Sequence, residues 1–183
     1  PLLVVCPSSV RQTWKDQLQR WIPSEFIRHM VVMNQGSDII ELKSNLTNAF
    51  GEAETPDIVI VSYDLAQKLS HMSRYQVIIC DESHHIKTLN TQRTKFLLPQ
   101  IQRAKRAILI SGTPALSRPI ELYPQIQALR RGILGSLREF GERYCVSPHF
   151  GGWVGKGKGW QADRYRGSSY EKELHCVLKS SLL

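Results

Sequence analysis

The run Val77-Ile78-Ile79-Cys80-Asp81-Glu82-Ser83-His84 constrains the fold of this chain more than any other stretch. Three aliphatic residues and a Cys predict a buried parallel strand. Two carboxylates follow at once, with a His two places on. In an open α/β sheet, ligands sit beyond the carboxyl ends of the strands. This order therefore places Asp81 where a metal-phosphate would lie and Glu82 beside a water. A carboxylate in the first place can hold a magnesium ion (Mg2+). One in the second can orient or deprotonate an attacking water. A solvated strand end is the commoner fate of an Asp-Glu pair, and the run alone leaves both readings open.

A second run raises the first reading. Ala107-Ile108-Leu109-Ile110 is another buried strand, and Ser111-Gly112-Thr113-Pro114 follows it. Small hydroxyl residues and a Gly at a strand end give a tight turn with free donors. The spacing between the runs suits a strand, a helix and the next strand. Two earlier strands, Leu2-Leu3-Val4-Val5-Cys6 and Ile58-Val59-Ile60-Val61, are followed by Pro7-Ser8-Ser9-Val10 and Ser62-Tyr63-Asp64. Taken in order, the four segments resemble motifs Ia, Ib, II and III of superfamily-two helicases. The wording is similar to the first motor lobe of the Swi/Snf-type ATPases. Ala115-Leu116-Ser117-Arg118-Pro119 stands where most of that family reads Gln-Asn, a variant that resembles the annealing-helicase branch. The resemblance covers about residues 1–175 and is weakest over Arg130 to Gly135 and after Cys176.

The resemblance implies a RecA-like α/β lobe, with a central parallel sheet flanked by helices, over residues 1–131. A smaller basic, helical or irregular extension would follow over 132–183. It implies ATP and Mg2+ as cofactors and DNA as partner, double-stranded or branched and with little sequence preference, in the nucleus. The activity implied is a DNA-dependent ATPase that anneals separated strands at stalled replication forks during repair. Asp81 would hold Mg2+, and Glu82 would activate water with His84 beside it. Ser111, Gly112 and Thr113 would couple hydrolysis to motion, and Ser8, Ser9 and Tyr63 would touch the DNA backbone. Two alternatives stay open: a chromatin-remodelling ATPase of the same family, and a non-catalytic fragment that binds DNA or a protein partner. The chain has no initiator Met and opens inside a strand, so it is expected to be a piece of a longer protein. The family's P-loop precedes motif Ia, so this piece alone is expected to bind ATP poorly and to hydrolyse none.

Composition narrows the setting. Of the 183 residues, the first hundred carry ten basic and ten acidic side chains, and the rest carry fourteen and six. The whole excess of +8 lies in the second part, which suggests a polyanion partner over a merely basic surface. Four Cys are scattered without a C-x-x-C pair, against a zinc site and for a reducing compartment. Cys6 and Cys80 end apolar strands and are expected in the core. No apolar run approaches the roughly 18–20 residues of a membrane span.

Along the chain, strands and helices alternate. Ser9 and Gln12 suggest a capping box, followed by a helix with Val10, Trp14, Leu18 and Trp21 on one face until Pro23. Met30 to Met33 predicts a strand, Ile39 to Leu46 a helix, 51–57 a polar loop and Asp64 to Leu69 a short helix. Asn90 to Ile101 predicts a helix whose last turn Pro99 disturbs. Pro119 opens another, with Leu122, Ile126 and Leu129 buried. Leu137, Phe140 and Tyr144 mark a further helix, and residues 170–182 a last one. The Gly-rich stretch from Gly151 to Gly159 reads as a basic loop. Its near match to a P-loop fails because Gly159 offers no hydroxyl for Mg2+. His85 carries no motif role, and Lys87 and Arg93 read as surface charges.

Overall fold

The computed structural model describes residues 1–38, 56–69, 75–113, 118–145, 165 and 167–182. Five strands, β1 (Leu2–Cys6), β2 (Met30–Val32), β3 (Ile58–Ser62), β4 (Val77–Asp81) and β5 (Arg106–Ile110), form one sheet in the order β2-β3-β1-β4-β5. All its pairings are parallel. Cys6 stands beside Ser62, Val5 beside Cys80, and Asp81 beside Ile110, so the strands finish along one edge. That edge carries all four motif segments.

Alternation along the central strands feeds two cores. Leu3, Val5, Val59, Val61, Ile78 and Cys80 face one side. There they meet α2 (Tyr63–Ala66), α3 (Gln92–Arg103) and α4 (Tyr123–Leu129) through Tyr63, Ala66, Leu97, Ile101 and Ala128. Val4, Cys6, Ile58 and Ile60 face the other side and pack under α1 (Arg11–Trp21). Cys6 and Cys80 are fully buried, and burial pushes both thiols up to about 12, so they stay protonated packing residues. Near-continuous apolar strands covered on both faces are what the centre of a parallel sheet requires. The strand expected to be buried over residues 107–110 departs from this: β5 is an edge strand, and Ile108 and Ile110 on one of its faces are exposed.

Several local expectations are corrected. The α1 face is Val10, Trp14, Leu18 and Ile22, while Trp21 is 73% exposed. The step from Leu18 to Ile22 is i,i+4 and keeps the stripe, whereas Trp21 turns outward and donates its indole N–H to Gln17. Ser9 does not cap α1. It lies in a 3-10 turn, Ser8–Val10, and Gln12 donates instead to Asp16. The helix expected to end at Ile101 with a last turn disturbed by Pro99 instead carries Pro99 inside it. The helix continues one turn to Arg103, and the Ala104 N–H closes on Gln100 and Ile101 carbonyls. Leu129 is exposed, and Tyr123 and Ala128 take its expected place inside. The expected helix at 39–46, most of the 51–57 loop, the Gly-rich stretch and Pro114 to Ser117 lie outside the described residues.

A capping box does occur at α5 (Leu137–Tyr144). Ser136 Oγ accepts from the Glu139 N–H, and Glu139 accepts from the Ser136 N–H at 2.7 Å. Phe140 and Tyr144 from α5, and Leu174 from α6 (Glu171–Ser181), pack with Tyr123 and Ile126 across the 131/132 boundary. Phe140 is fully buried there, so its truncation to Ala costs about 3–5 kcal/mol. Gly135 permits this arrangement. Its φ is +70°, and a Cβ would meet Glu139 Oε2 at 2.6 Å. Among the described residues, no helix is long and apolar enough to cross a membrane.

Candidate nucleotide site

Asp81 closes β4 and is held from three directions. Its Oδ1 accepts from the Glu82 N–H at 3.0 Å, and its Oδ2 accepts from Trp14 Nε1 at 2.8 Å. Its backbone carbonyl accepts from the Tyr63 hydroxyl at 2.8 Å. Each carboxylate oxygen keeps a lone pair. Among the described residues, no group of three or more His, Cys, Asp or Glu could hold a metal ion. The donor set therefore does not fit an all-protein cage. It does fit Mg2+, which binds through one or two carboxylates together with phosphates and water.

The chain then makes an unusual step. Glu82 adopts φ +52°, ψ +53°, a left-handed conformation that a residue with a Cβ rarely takes. Such backbone costs of order 1–3 kcal/mol and gathers at functional sites. Here it swings the half-exposed carboxylate back over the sheet edge. Glu82 Oε2 lies 3.1 Å from His84 Nδ1 and 3.4 Å from Ser111 Oγ. His84 Nδ1 and Ser111 Oγ are 3.2 Å apart, and Ser111 Oγ also accepts from the Thr113 N–H at 3.2 Å. His84 therefore meets Ser111 directly and Thr113 through the Ser111 hydroxyl. Gly112 has nothing within 4 Å of where a Cβ would stand, so the turn opens on free space.

The residues expected on DNA divide. Ser8 and Ser9 are exposed on their 3-10 turn, and Arg11 ties that turn down by donating to the Ser8 and Met33 carbonyls. Tyr63 is only 3% exposed, and its hydroxyl is engaged with Asp81. Burial, then the nearby Cys80 and Asp81, push its phenol far above the ordinary range. Tyr63 braces the backbone carbonyl of Asp81, and its buried hydroxyl offers no exposed donor for a DNA backbone, which corrects the expectation.

Four neighbours carried no sequence signal for this site. Trp14 reaches Asp81 from α1. Buried Gln125 accepts from Ser83 Oγ at 2.8 Å. Lys87 pairs at 3.3 Å with the buried Glu121. Arg93 bonds both Asp64 and His85, so neither Lys87 nor Arg93 is an ordinary surface charge. Only the apolar spacing of Trp14 was readable, and it told of packing alone.

A family model described as the SNF2-related domain matches residues 1–183, the whole chain. The chain belongs to the SNF2-related family. This SNF2-related domain is 41% identical over 185 residues to the "SWI/SNF-related matrix-associated actin-dependent regulator of chromatin subfamily A-like protein 1" of Xenopus tropicalis. The match takes 100% of this chain and 17% of that protein. It is 35% identical over 183 residues to the "DNA annealing helicase and endonuclease ZRANB3" of Mus musculus, again 100% of this chain and 16% of that protein. The SNF2-related domain thus spans about a sixth of the length of these relatives. In fold it is similar to the Sulfolobus solfataricus SWI2/SNF2 ATPase core solved in complex with double-stranded DNA. The TM-score is 0.58 at 24% identity, covering 79% of this chain and 28% of that one. The five-stranded parallel sheet with flanking helices is the RecA-like lobe expected from the sequence.

Proposed function

We propose that this domain is part of an ATP-driven DNA translocase that anneals separated strands and acts at stalled forks in the nucleus. The observation that carries the proposal is the gathering of Glu82, His84 and Ser111 at the ends of two adjacent strands, beside Asp81. A carboxylate fixed by two hydrogen-bonding groups can orient a water for attack on a phosphoryl group. Asp81 would hold Mg2+, which when bound with ATP neutralises charge developing on the phosphates. Glu82 would position the attacking water. His84, Ser111 and Thr113 would report the occupied state along the edge. Ser8 and Ser9 would donate to DNA phosphates without reading bases. The name of the mouse relative, a DNA annealing helicase and endonuclease, supports annealing as the outcome.

The test is an ATP-dependent rewinding assay on partly unwound duplex DNA with the full-length protein. Rewinding that stops in Glu82→Gln is expected. Hydrolysis without rewinding, together with nucleosome sliding, would favour the second reading, a chromatin remodeller. The chromatin wording in the frog relative's name keeps that reading in view.

A further inference from the structure

His85 lies in the 3-10 turn Ser83–Ile86 that follows β4, one residue beyond the His that touches Glu82. Its ring packs on two others. The His84 ring is stacked on it, with centroids 4.8 Å apart and planes at 26°. The Tyr63 ring lies 4.8 Å away on a 36° tilt. Tyr63 is itself fixed through its hydroxyl on Asp81.

The position of His85 is set from outside by charge. Arg93 Nη1 is 3.1 Å from His85 Nδ1, and Arg93 Nη2 pairs with Asp64 Oδ1 at 3.3 Å. A guanidinium has only donors, so His85 Nδ1 accepts and the ring proton sits on Nε2. Burial, then the neighbouring His84 and Arg93, hold the imidazole below its ordinary value and keep it uncharged. A neutral ring can accept from Arg93 without the repulsion that a positive charge beside the guanidinium would bring.

We infer that His85 is a positioning residue for hydrolysis: clamped between Arg93 and the Tyr63 ring, it fixes the plane of the His84 ring and so the placement of the Glu82 carboxylate. The inference rests on the reading of Glu82 as the water-orienting carboxylate. His85 itself touches neither that carboxylate nor Ser111 by any hydrogen bond in the structure. Its effect passes through the face of His84, whose Nδ1 is left aimed at Glu82 and Ser111. A planar ring is what the role needs. The Arg93 bond refines its orientation.

The test is steady-state ATP hydrolysis by the full-length protein with saturating DNA, comparing His85→Ala, His85→Phe and Arg93→Met with the parent and with Glu82→Gln. Misplacing a reacting group by an ångström can cost about a hundredfold, so His85→Ala is expected to lose about tenfold or more in kcat. KM for ATP should stay within about twofold, because the loss falls on the chemical step and not on binding. His85→Phe keeps the ring and should recover to within about threefold of the parent, and Arg93→Met should fall between them. Parent-like kcat in His85→Ala would overturn the inference, as would a His85→Phe protein no better than His85→Ala. Should His85→Ala fail to fold, the other two decide. An active His85→Phe with a slowed Arg93→Met of unchanged KM upholds the role, and an Arg93→Met equal to the parent overturns it. Glu82→Gln separates the two levels. If it hydrolyses ATP normally, the reading of Glu82 fails. If it is inactive while His85→Ala is normal, only the inference about His85 falls.

Discussion

Trp14 Nε1 donates a 2.8 Å hydrogen bond to Asp81 Oδ2, joining two residues 67 positions apart. Trp14 sits little more than a turn beyond Ser8 and Ser9. One short piece of helix therefore connects the exposed serines to the carboxylate that would hold Mg2+. The same indole packs with Val10, Leu18 and Ile22 on the sheet. Trp14→Phe keeps the apolar ring and removes the donor. It is expected to cost about 1–2 kcal/mol in urea unfolding, the low end for a bond to a charged group in a partly buried place. A wild-type midpoint in Trp14→Phe would show that the bond contributes nothing.

Tyr63 offers a sharper contrast between support and contact. Tyr63→Phe leaves the Asp81 carbonyl without its hydroxyl donor in a buried place and is expected to lower stability by about 1–3 kcal/mol. The salt dependence of DNA binding should not move, because the hydroxyl is buried on the Asp81 carbonyl. A change in that slope with unaltered stability would return Tyr63 to the DNA side.

Acid should weaken the fold in two steps. His85 has a folded value below its ordinary 6.5 because burial, then His84 and Arg93, disfavour its charged form, against weaker pulls from Asp64 and Glu82. Between the folded and unfolded values the unfolded chain binds more protons. Stability is therefore complete above about 6.5 and falls as pH drops below it. Glu173 is held below its ordinary 4.5 by hydrogen bonds from Arg143 and then Tyr144, so its contribution is lost only at pH values below that. In urea titrations at stepped pH, His85→Phe should flatten the first step and leave the second. A first step of equal size in His85→Phe would assign it elsewhere.

These cases show what the residues could disclose in advance. The strands and their parallel order were legible, because each depends on a local apolar run and the turn that ends it. The Trp14–Asp81 and Ser83–Gln125 bonds were not, since they span 67 and 42 residues and exist only once the crossovers have set the helices over the sheet. Tyr63 was misplaced for a related reason. Its position just after β3 is equally compatible with an outward or inward ring, and only the 3% exposure decides. The true capping box at Ser136 carried the full Ser-x-x-Glu signature, whereas the one suggested at Ser9 failed because a 3-10 turn intervenes.

Charge placement gives a prediction for binding. The excess of basic residues lies after position 100, and Lys156 and Lys158 fall in its Gly-rich stretch, outside the described residues. Each phosphate contact contributes a slope of about −0.9 in log K against log salt on duplex DNA. Charge reversal of Lys156 and Lys158 together should weaken binding alike on unrelated sequences and flatten that slope by up to roughly two units. The same change at Lys43 and Lys68, in the electrically balanced part, should do much less. Equal effects from the two pairs would move the search for DNA contacts to Ser8 and Ser9.

The most direct measurement is ATP hydrolysis by full-length Glu82→Gln with saturating DNA, alongside binding of Mg-ATP to the same protein. Gln keeps the size of the side chain and can still hydrogen-bond to His84 and Ser111, but it cannot act as a base. Loss of about a hundredfold or more in kcat, with nucleotide binding intact, is the predicted result. Turnover close to the parent would contradict the assignment of Glu82 and, with it, the account of this strand edge as a site of phosphoryl transfer.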